Sequence, residues 1–165
     1  MIEMLDKKGI YDLLDQYQII YETCEHAPVY TIEEMDALEL PHSEAVVKNL
    51  FLRDDKKRNY YLVIIPGHKA VNLKSLSEKI PSRKLSFANE ESLWELLMLE
   101  KGHVTPFGAL NNTQKNVIVV FDKSLENQRI GVHPMENTAT IFIAIEDIIK
   151  LIEDHGNVVV ICDFE

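Results

Sequence analysis

No apolar run in the 165 residues approaches the roughly 20 needed to cross a bilayer, so a helical membrane span is excluded. The opening stretch, MIEMLDKKGIYDLLDQY, lacks an apolar h-region and a small-residue cleavage site. Neither a secretory signal nor an anchor is expected, and the expected location is the cytoplasm. Cysteine is scarce: Cys24 and Cys162 stand alone, with no CxxC pair, which leaves no disulfide scaffold and no thiolate metal site. Both are expected to be buried, reduced thiols. Also missing are a GxSxG elbow, a Walker loop, a GxGxxG turn and an HExxH helix, so the common nucleophile, nucleotide and zinc signatures are absent. The six histidines show no ligand spacing among themselves, and neither a metal nor another cofactor is expected. Basic residues are few as well, 17 against 27 acids for a net charge of −10, which at first argues against a nucleic-acid partner.

What is present changes that last inference. The stretch from Lys48 to Lys84 carries +7 and the remainder of the chain −17. Such a division is compatible with one basic face on an acidic body, and equally with a solvated surface hairpin rich in lysine. Lys56, Lys57 and Arg58 are the densest part of it.

The length and the 46% apolar content suit one globular domain, expected over residues 1–165. Ile10, Leu13, Leu14 and Tyr17 fall at helical spacing and predict an opening helix. QIIYETCEH reads as a strand. Thr31 with Glu34 forms a capping box that starts a short helix, TIEEMDAL. AVVKNLFLRD and YYLVIIP flank the polar turn DKKRN and predict a hairpin. Then follow a helix in NLKSLSEKI, a brief strand in RKLSFA and a helix capped by Asn89. KGHVTPFGALNN breaks all periodicity and is read as a loop. Strands follow in NVIVVFDK, RIGVHP and TATIFIAI, then a helix closed by Gly156 and a last strand, NVVVICDF. Interleaved strands and helices with hairpins predict an α/β, mixed-sheet α+β fold.

Three places invite chemistry. Lys48 alternates with Val46, Leu50 and Leu52, so its ammonium either finds a partner in a cleft or snorkels to water from an edge strand. The loop GHVTPFGALNN either aims backbone amides at a ligand or simply connects two elements. In Gly131-Val132-His133-Pro134, proline confines His133 to an extended backbone and Gly131 permits close backbone approach. His133 is either a catalytic group or a hydrogen-bonded structural one.

EHAPVYTIEE, AVVKNLFLRD, KLSFANEESLWELL, GHVTPFGALNN and VHPMENTAT occur in order from Glu25 to Thr140. Together they resemble successive landmarks of the YbaK/prolyl-tRNA synthetase-associated domain, most like the free-standing deacylases of alanyl-tRNA(Pro). The resemblance spans nearly the whole chain. It implies short helices around a mixed, partly barrel-like sheet, and an ester hydrolase that removes misattached alanine from tRNA(Pro). Cysteinyl-tRNA(Pro) or another misacylated tRNA is the alternative substrate, and a non-catalytic tRNA- or synthetase-binding module the alternative class. The implied partners are the acceptor end of mischarged tRNA(Pro) and a prolyl-tRNA synthetase, with no DNA or membrane partner. Carried over, the essential lysine falls on Lys48 with Asn49 beside it, and the glycine–histidine turn on Gly131, His133 and Pro134. Asn137 completes that region, and Tyr30 with Thr31 opens the helix beside the pocket. Lys48, His133 and Gly131 are the expected catalytic group, and Asn49, Tyr30, Thr31, Pro134 and Asn137 the substrate-binding group. The basic turn, Lys56, Lys57 and Arg58, is expected to meet tRNA. Two departures, Gly108 in the loop and Met135 after the His-Pro pair, are expected beside the pocket, where they would bear on amino-acid preference.

An aminoacyl ester is already activated. Its hydrolysis needs a placed water and a stabilised oxyanion rather than a covalent nucleophile or a metal, which fits the missing signatures. In this scheme Lys48 meets the ester carbonyl or the terminal phosphate, groups around Gly131 orient amine and water, and a ribose hydroxyl assists proton transfer.

Overall fold

Two apolar, β-rich runs flank a polar turn, and the computed structural model, which describes residues 4–164, forms the hairpin as expected. Strands β2 (Val47–Asp54) and β3 (Tyr60–Pro66) pair antiparallel, Lys48 opposite Ile65 and Arg53 opposite Tyr60. Asp54 builds the turn: its carboxylate accepts from the backbone N–H of Lys56 and Arg58 and from the Asn59 side chain. The hairpin is the centre of a five-stranded sheet in the order β4–β2–β3–β5–β8, with β4 at Leu85–Phe87, β5 at Val117–Asp122 and β8 at Val159–Cys162. β4 runs antiparallel to β2, whereas β3, β5 and β8 are mutually parallel, so the sheet is mixed.

A second, antiparallel sheet has the order β1–β7–β6, from Tyr21–Glu25, Ala139–Ala144 and Arg129–Val132. The two sheets do not close into a barrel. They touch through one parallel bridge, Val46 to Gly131. A Cβ on Gly131 would lie 2.9 Å from the Phe142 ring and 3.0 Å from Val46 Cγ2, so the absent side chain is what permits the approach. The main core fills the space between the sheets, with Phe107, Phe121, Leu62 and Ile141 fully buried. Two helices seal it: α1 (Lys7–Gln16) through Ile10 and Leu14, and α5 (Ile145–His155) through Ile148 and Ile152. A smaller cluster on the other face of the large sheet lies under α3 (Leu73–Lys79).

Local signals place the remaining helices. Thr31 accepts from the Glu34 N–H to start α2 (Ile32–Ala37), Asn89 accepts from the Ser92 N–H to start α4 (Glu90–Leu97), and left-handed Gly156 ends α5. None of the described helices is long and apolar enough to cross a membrane. Both cysteines are free thiols, as expected, but only Cys162 is buried; Cys24 is half-buried.

The stretch read as a loop is partly a buried 3₁₀ turn, Pro106–Asn111, with Phe107, Gly108 and Ala109 inside the core. Its irregular backbone is satisfied by side chains, a device without periodicity and therefore invisible to pattern. Asn111 ties the turn to Leu5 and Leu97, while Asn112 accepts from the Val117 N–H and the Asn157 side chain and donates to Leu96 O. The paired asparagines are thus internal fasteners. Asn112→Ala strands the buried Val117 N–H, frees the Leu96 carbonyl and leaves the Asn157 NH₂ only its bond to Val117 O, and should lower stability by about 3 kcal/mol in denaturant unfolding.

Candidate functional site

β4 covers β2 only from Leu52 to Asp54, and β6 meets the chain at the Val46–Gly131 bridge, so between those two contacts, around Asn49, that edge of β2 has no strand beside it. The Asp54 N–H donates to Asn59 O, on the β3 side. By antiparallel alternation, Leu52, Leu50 and Lys48 direct their backbone groups to β3, and Val47 and Asn49 direct theirs outward. The outward N–H and C=O of Asn49 therefore meet the open edge. A cleft of about 570 Å³ lies there, with Lys48, Asn49 and His133 in its lining.

The cleft has two unlike ends. One is an apolar floor of Val29, Met35 and Val46, each no more than 7% exposed. The other is open, walled by Phe87, Lys101, Gly102 and Val104. Tyr30 and Thr31 form a side. The Thr31 hydroxyl is occupied in capping α2, and the Tyr30 ring lies where a Cβ on Gly102 (φ +86°) would stand.

Lys48 reaches the site with one N–H committed: its Nζ donates to Lys69 O at 3.1 Å. An ammonium has three such donors, so two stay available. Lys69 is itself anchored, its Nζ 2.6 Å from Oδ2 of Asp122, which is 1% exposed. Lys48 is thus positioned by a neutral carbonyl and keeps its charge, whereas the charge of Lys69 is neutralised. Asn49 lies on the opposite face of β2, with Val47 and Phe51. Among the described residues, its Oδ1 is the buried side-chain polar atom that no donor reaches. Such an acceptor costs stability until a donor arrives.

His133 is half-buried, and burial pushes its pKa below the ordinary value. The Ala139 bond opposes the shift, and His26 and His103 reinforce it. Nδ1–H donates to Ala139 O at 3.0 Å, which leaves Nε2 as the lone-pair nitrogen of a neutral ring. The backbone of His133 is held by Thr105, whose hydroxyl donates to His133 O at 2.6 Å from a fully buried position. Thr105 went unsignalled in the sequence, because a single threonine in an aperiodic segment carries no pattern. The same holds for Lys69, in the loop after β3, and Asp122, at the end of β5.

Other expected residues take supporting places. Gly131 does not line the cleft; it brings β6 against Val46 and Phe142. Pro134 is buried behind His133. Asn137, 2% exposed, donates from Nδ2 to Val29 O at 2.7 Å and so holds the cleft wall rather than facing its interior. Gly108 and Met135 do not stand beside the pocket as expected. Gly108 packs on Leu99, and Met135 belongs to the main core. Lys56, Lys57 and Arg58 are exposed at the far end of the hairpin, about 20 Å along the strand from Lys48, and do not join the cleft.

The family model described as the aminoacyl-tRNA editing domain matches residues 26–151. The chain is similar to the prolyl-tRNA editing protein ProX of Acetoanaerobium sticklandii, 45% identical over 94% of this chain and 96% of that protein. It is 34% identical to the prolyl-tRNA synthetase associated domain-containing protein 1 of Danio rerio, over 96% of this chain and 88% of that one. A solved structure proposed as a trans-editing enzyme for prolyl-tRNA synthetase has the same fold, with a TM-score of 0.68 at 17% identity over 95% of this chain and 96% of the other.

The neutral state of His133 has a measurable consequence. Its folded pKa is depressed, so the stability it contributes is present above the unfolded value, about 6.5, and is lost as pH falls below it. Denaturant unfolding between pH 7 and pH 5 should show a larger loss for the wild type than for His133→Gln, which has nothing to protonate there.

Proposed function

This chain belongs to the aminoacyl-tRNA editing domain family, and from that premise we propose that it hydrolyses the ester of alanyl-tRNA(Pro). At the coarser level it is an aminoacyl-tRNA deacylase that acts in trans on mischarged tRNA(Pro). One observation carries the choice of site. A lysine that keeps its charge, a neutral histidine and an unpartnered amide oxygen converge on one cleft with an apolar floor.

Each group has a task that its geometry suits. The two free N–H donors of Lys48, with the outward N–H of Asn49, stabilise the oxyanion that forms when water attacks the ester carbon. The α-ammonium of the aminoacyl group, a donor close to that carbon, satisfies Asn49 Oδ1. His133 Nε2 accepts from the attacking water and orients it; with Nδ1 bound to a carbonyl rather than a carboxylate, the ring positions more than it drives proton transfer. The vicinal ribose hydroxyl takes the proton released by the water and passes its own to the ester oxygen. As the C–O ester bond breaks, that oxygen leaves as the other hydroxyl of the terminal adenosine and the free amino acid forms. Val29, Met35 and Val46 enclose a methyl side chain, which favours alanine over cysteine. Relative rates on alanyl- and cysteinyl-tRNA(Pro) decide that preference. The synthetase is a further partner in this scheme, as the names of the synthetase-associated relatives suggest.

Lys48→Ala should leave the fold intact and lower kcat/KM on alanyl-tRNA(Pro) about a hundredfold, or about 3 kcal/mol of transition-state stabilisation. Normal hydrolysis by that variant would remove Lys48 from the mechanism. The exposed turn offers a second point of attachment, to the body of the acceptor stem. Changing Lys56, Lys57 and Arg58 together to glutamate should weaken tRNA binding and reduce the salt slope by about one unit for each phosphate that is no longer neutralised. An unchanged slope would mean that the turn is only solvated.

A further inference from the structure

The wall of Phe87, Lys101, Gly102 and Val104 has a second side. A cleft of about 740 Å³ lies beyond it and shares those residues and Asn49 with the first. Its apolar surface comes from Phe51, Ala88 and Leu93, and its rim from Asn89, Glu90 and Glu91 at the start of α4. Lys48 and His133 line only the first cleft, so the ester carbon belongs there. The apolar floor receives the aminoacyl side chain at one end, and what is attached to the other side of the ribose must leave through the open end.

We propose that the second cleft is the adenine subsite, in which the base of the terminal adenosine stacks on Phe87. This rests on the proposed function and assigns the part of the substrate that the first cleft does not hold. Three observations support a base over the other occupants. Phe87 is 59% exposed although large and apolar, and it lines both clefts, so it is a free aromatic face at the junction. Aromatic faces of this kind bind single-stranded bases by stacking. Glu90 on the rim is paired with Lys101 at 3.8 Å, so the two charges offset and the rim offers a phosphate no net attraction, while the Glu91 carboxylate can accept from an exocyclic amine, which favours a base. Finally, the Asn89 amide uses its oxygen to cap α4, which leaves its NH₂ as a donor to a purine ring nitrogen.

The test is direct titration of the full chain, by calorimetry or NMR, with adenosine 5′-monophosphate and with ribose 5-phosphate. The nucleotide should bind the wild type at least tenfold tighter than the sugar phosphate. Phe87→Ala should lose about tenfold in nucleotide affinity with sugar phosphate binding unchanged, and Phe87→Trp should retain it. In deacylation, Phe87→Ala should raise KM for aminoacyl-tRNA and leave kcat near its original value. Equal affinity of the wild type for both probes, or unaltered nucleotide binding by Phe87→Ala, would overturn the subsite. The two proposals fail separately. A chain that hydrolyses no aminoacyl-tRNA but still needs Phe87 to bind the nucleotide refutes the reaction and keeps the subsite. Normal hydrolysis with Phe87-independent binding does the reverse.

Discussion

The contact between Val46 and Gly131 sets the geometry of the whole cleft. Among the described residues it is the one bridge between two sheets that otherwise face each other across a core, and it exists because residue 131 has no side chain to meet Phe142. Two residues beyond Val46 on one strand stands Lys48, and two beyond Gly131 on the other stands His133. A parallel bridge therefore carries both to the same side, and they line one cleft without any direct interaction between them. Gly131 belongs to the site through the backbone approach it allows, not through a contact with substrate.

Charge is arranged with the same economy. Two lysines meet near the end of β3, and they are treated oppositely. Lys69 is paired with buried Asp122, while Lys48 is held by the Lys69 carbonyl. A carboxylate in place of that carbonyl would orient Lys48 equally well and would also neutralise it. A carbonyl orients it and leaves the field of the ammonium directed at the cleft. The buried pair Lys69–Asp122 pins the loop that supplies the carbonyl, and breaking such a pair leaves an uncompensated charge inside. The rigidity of the loop and the free charge of Lys48 thus come from one arrangement.

Much of the architecture was legible because its causes are local. The Thr31 and Asn89 caps, the Gly156 terminus and the β-rich run Val47–Asp54 each act within a few residues, and each formed as the sequence predicts. The glycine before His133 was also readable as a point of close approach, although not what approaches it. What escaped was long-range. The asparagines of Asn111–Asn112 read as a loop, yet they satisfy backbone groups more than ten positions away. The basic excess of Lys48–Lys84 was compatible with one basic face and equally with a solvated hairpin. A strand separates Lys48 from Lys56, however, Lys69 and Arg83 are engaged with Asp122 and Asp55, and only part of that charge is free. Strand parity shows why Lys48 and Asn49, adjacent in sequence, do different work. One side chain leaves the sheet toward α3, the other toward the main core, and both reach the cleft because it wraps the uncovered edge of β2.

That uncovered edge also accounts for the absence of a familiar catalytic signature. A protein that must activate a poor electrophile needs a nucleophile, and nucleophiles leave recognisable motifs. An aminoacyl ester needs instead donors for its oxyanion, an acceptor for its ammonium and a placed water. A backbone N–H on an uncovered strand edge supplies one donor without any special residue type. In the proposed reaction the edge contributes the Asn49 N–H, its side chain the acceptor, and Lys48 and His133 add what the backbone lacks, a full positive charge and a lone pair. Those two additions and the Asn49 acceptor depend on particular side chains, whereas the backbone donor does not. In that proposed reaction the placement of these groups depends on where β4 stops, a property of the fold that no short motif records.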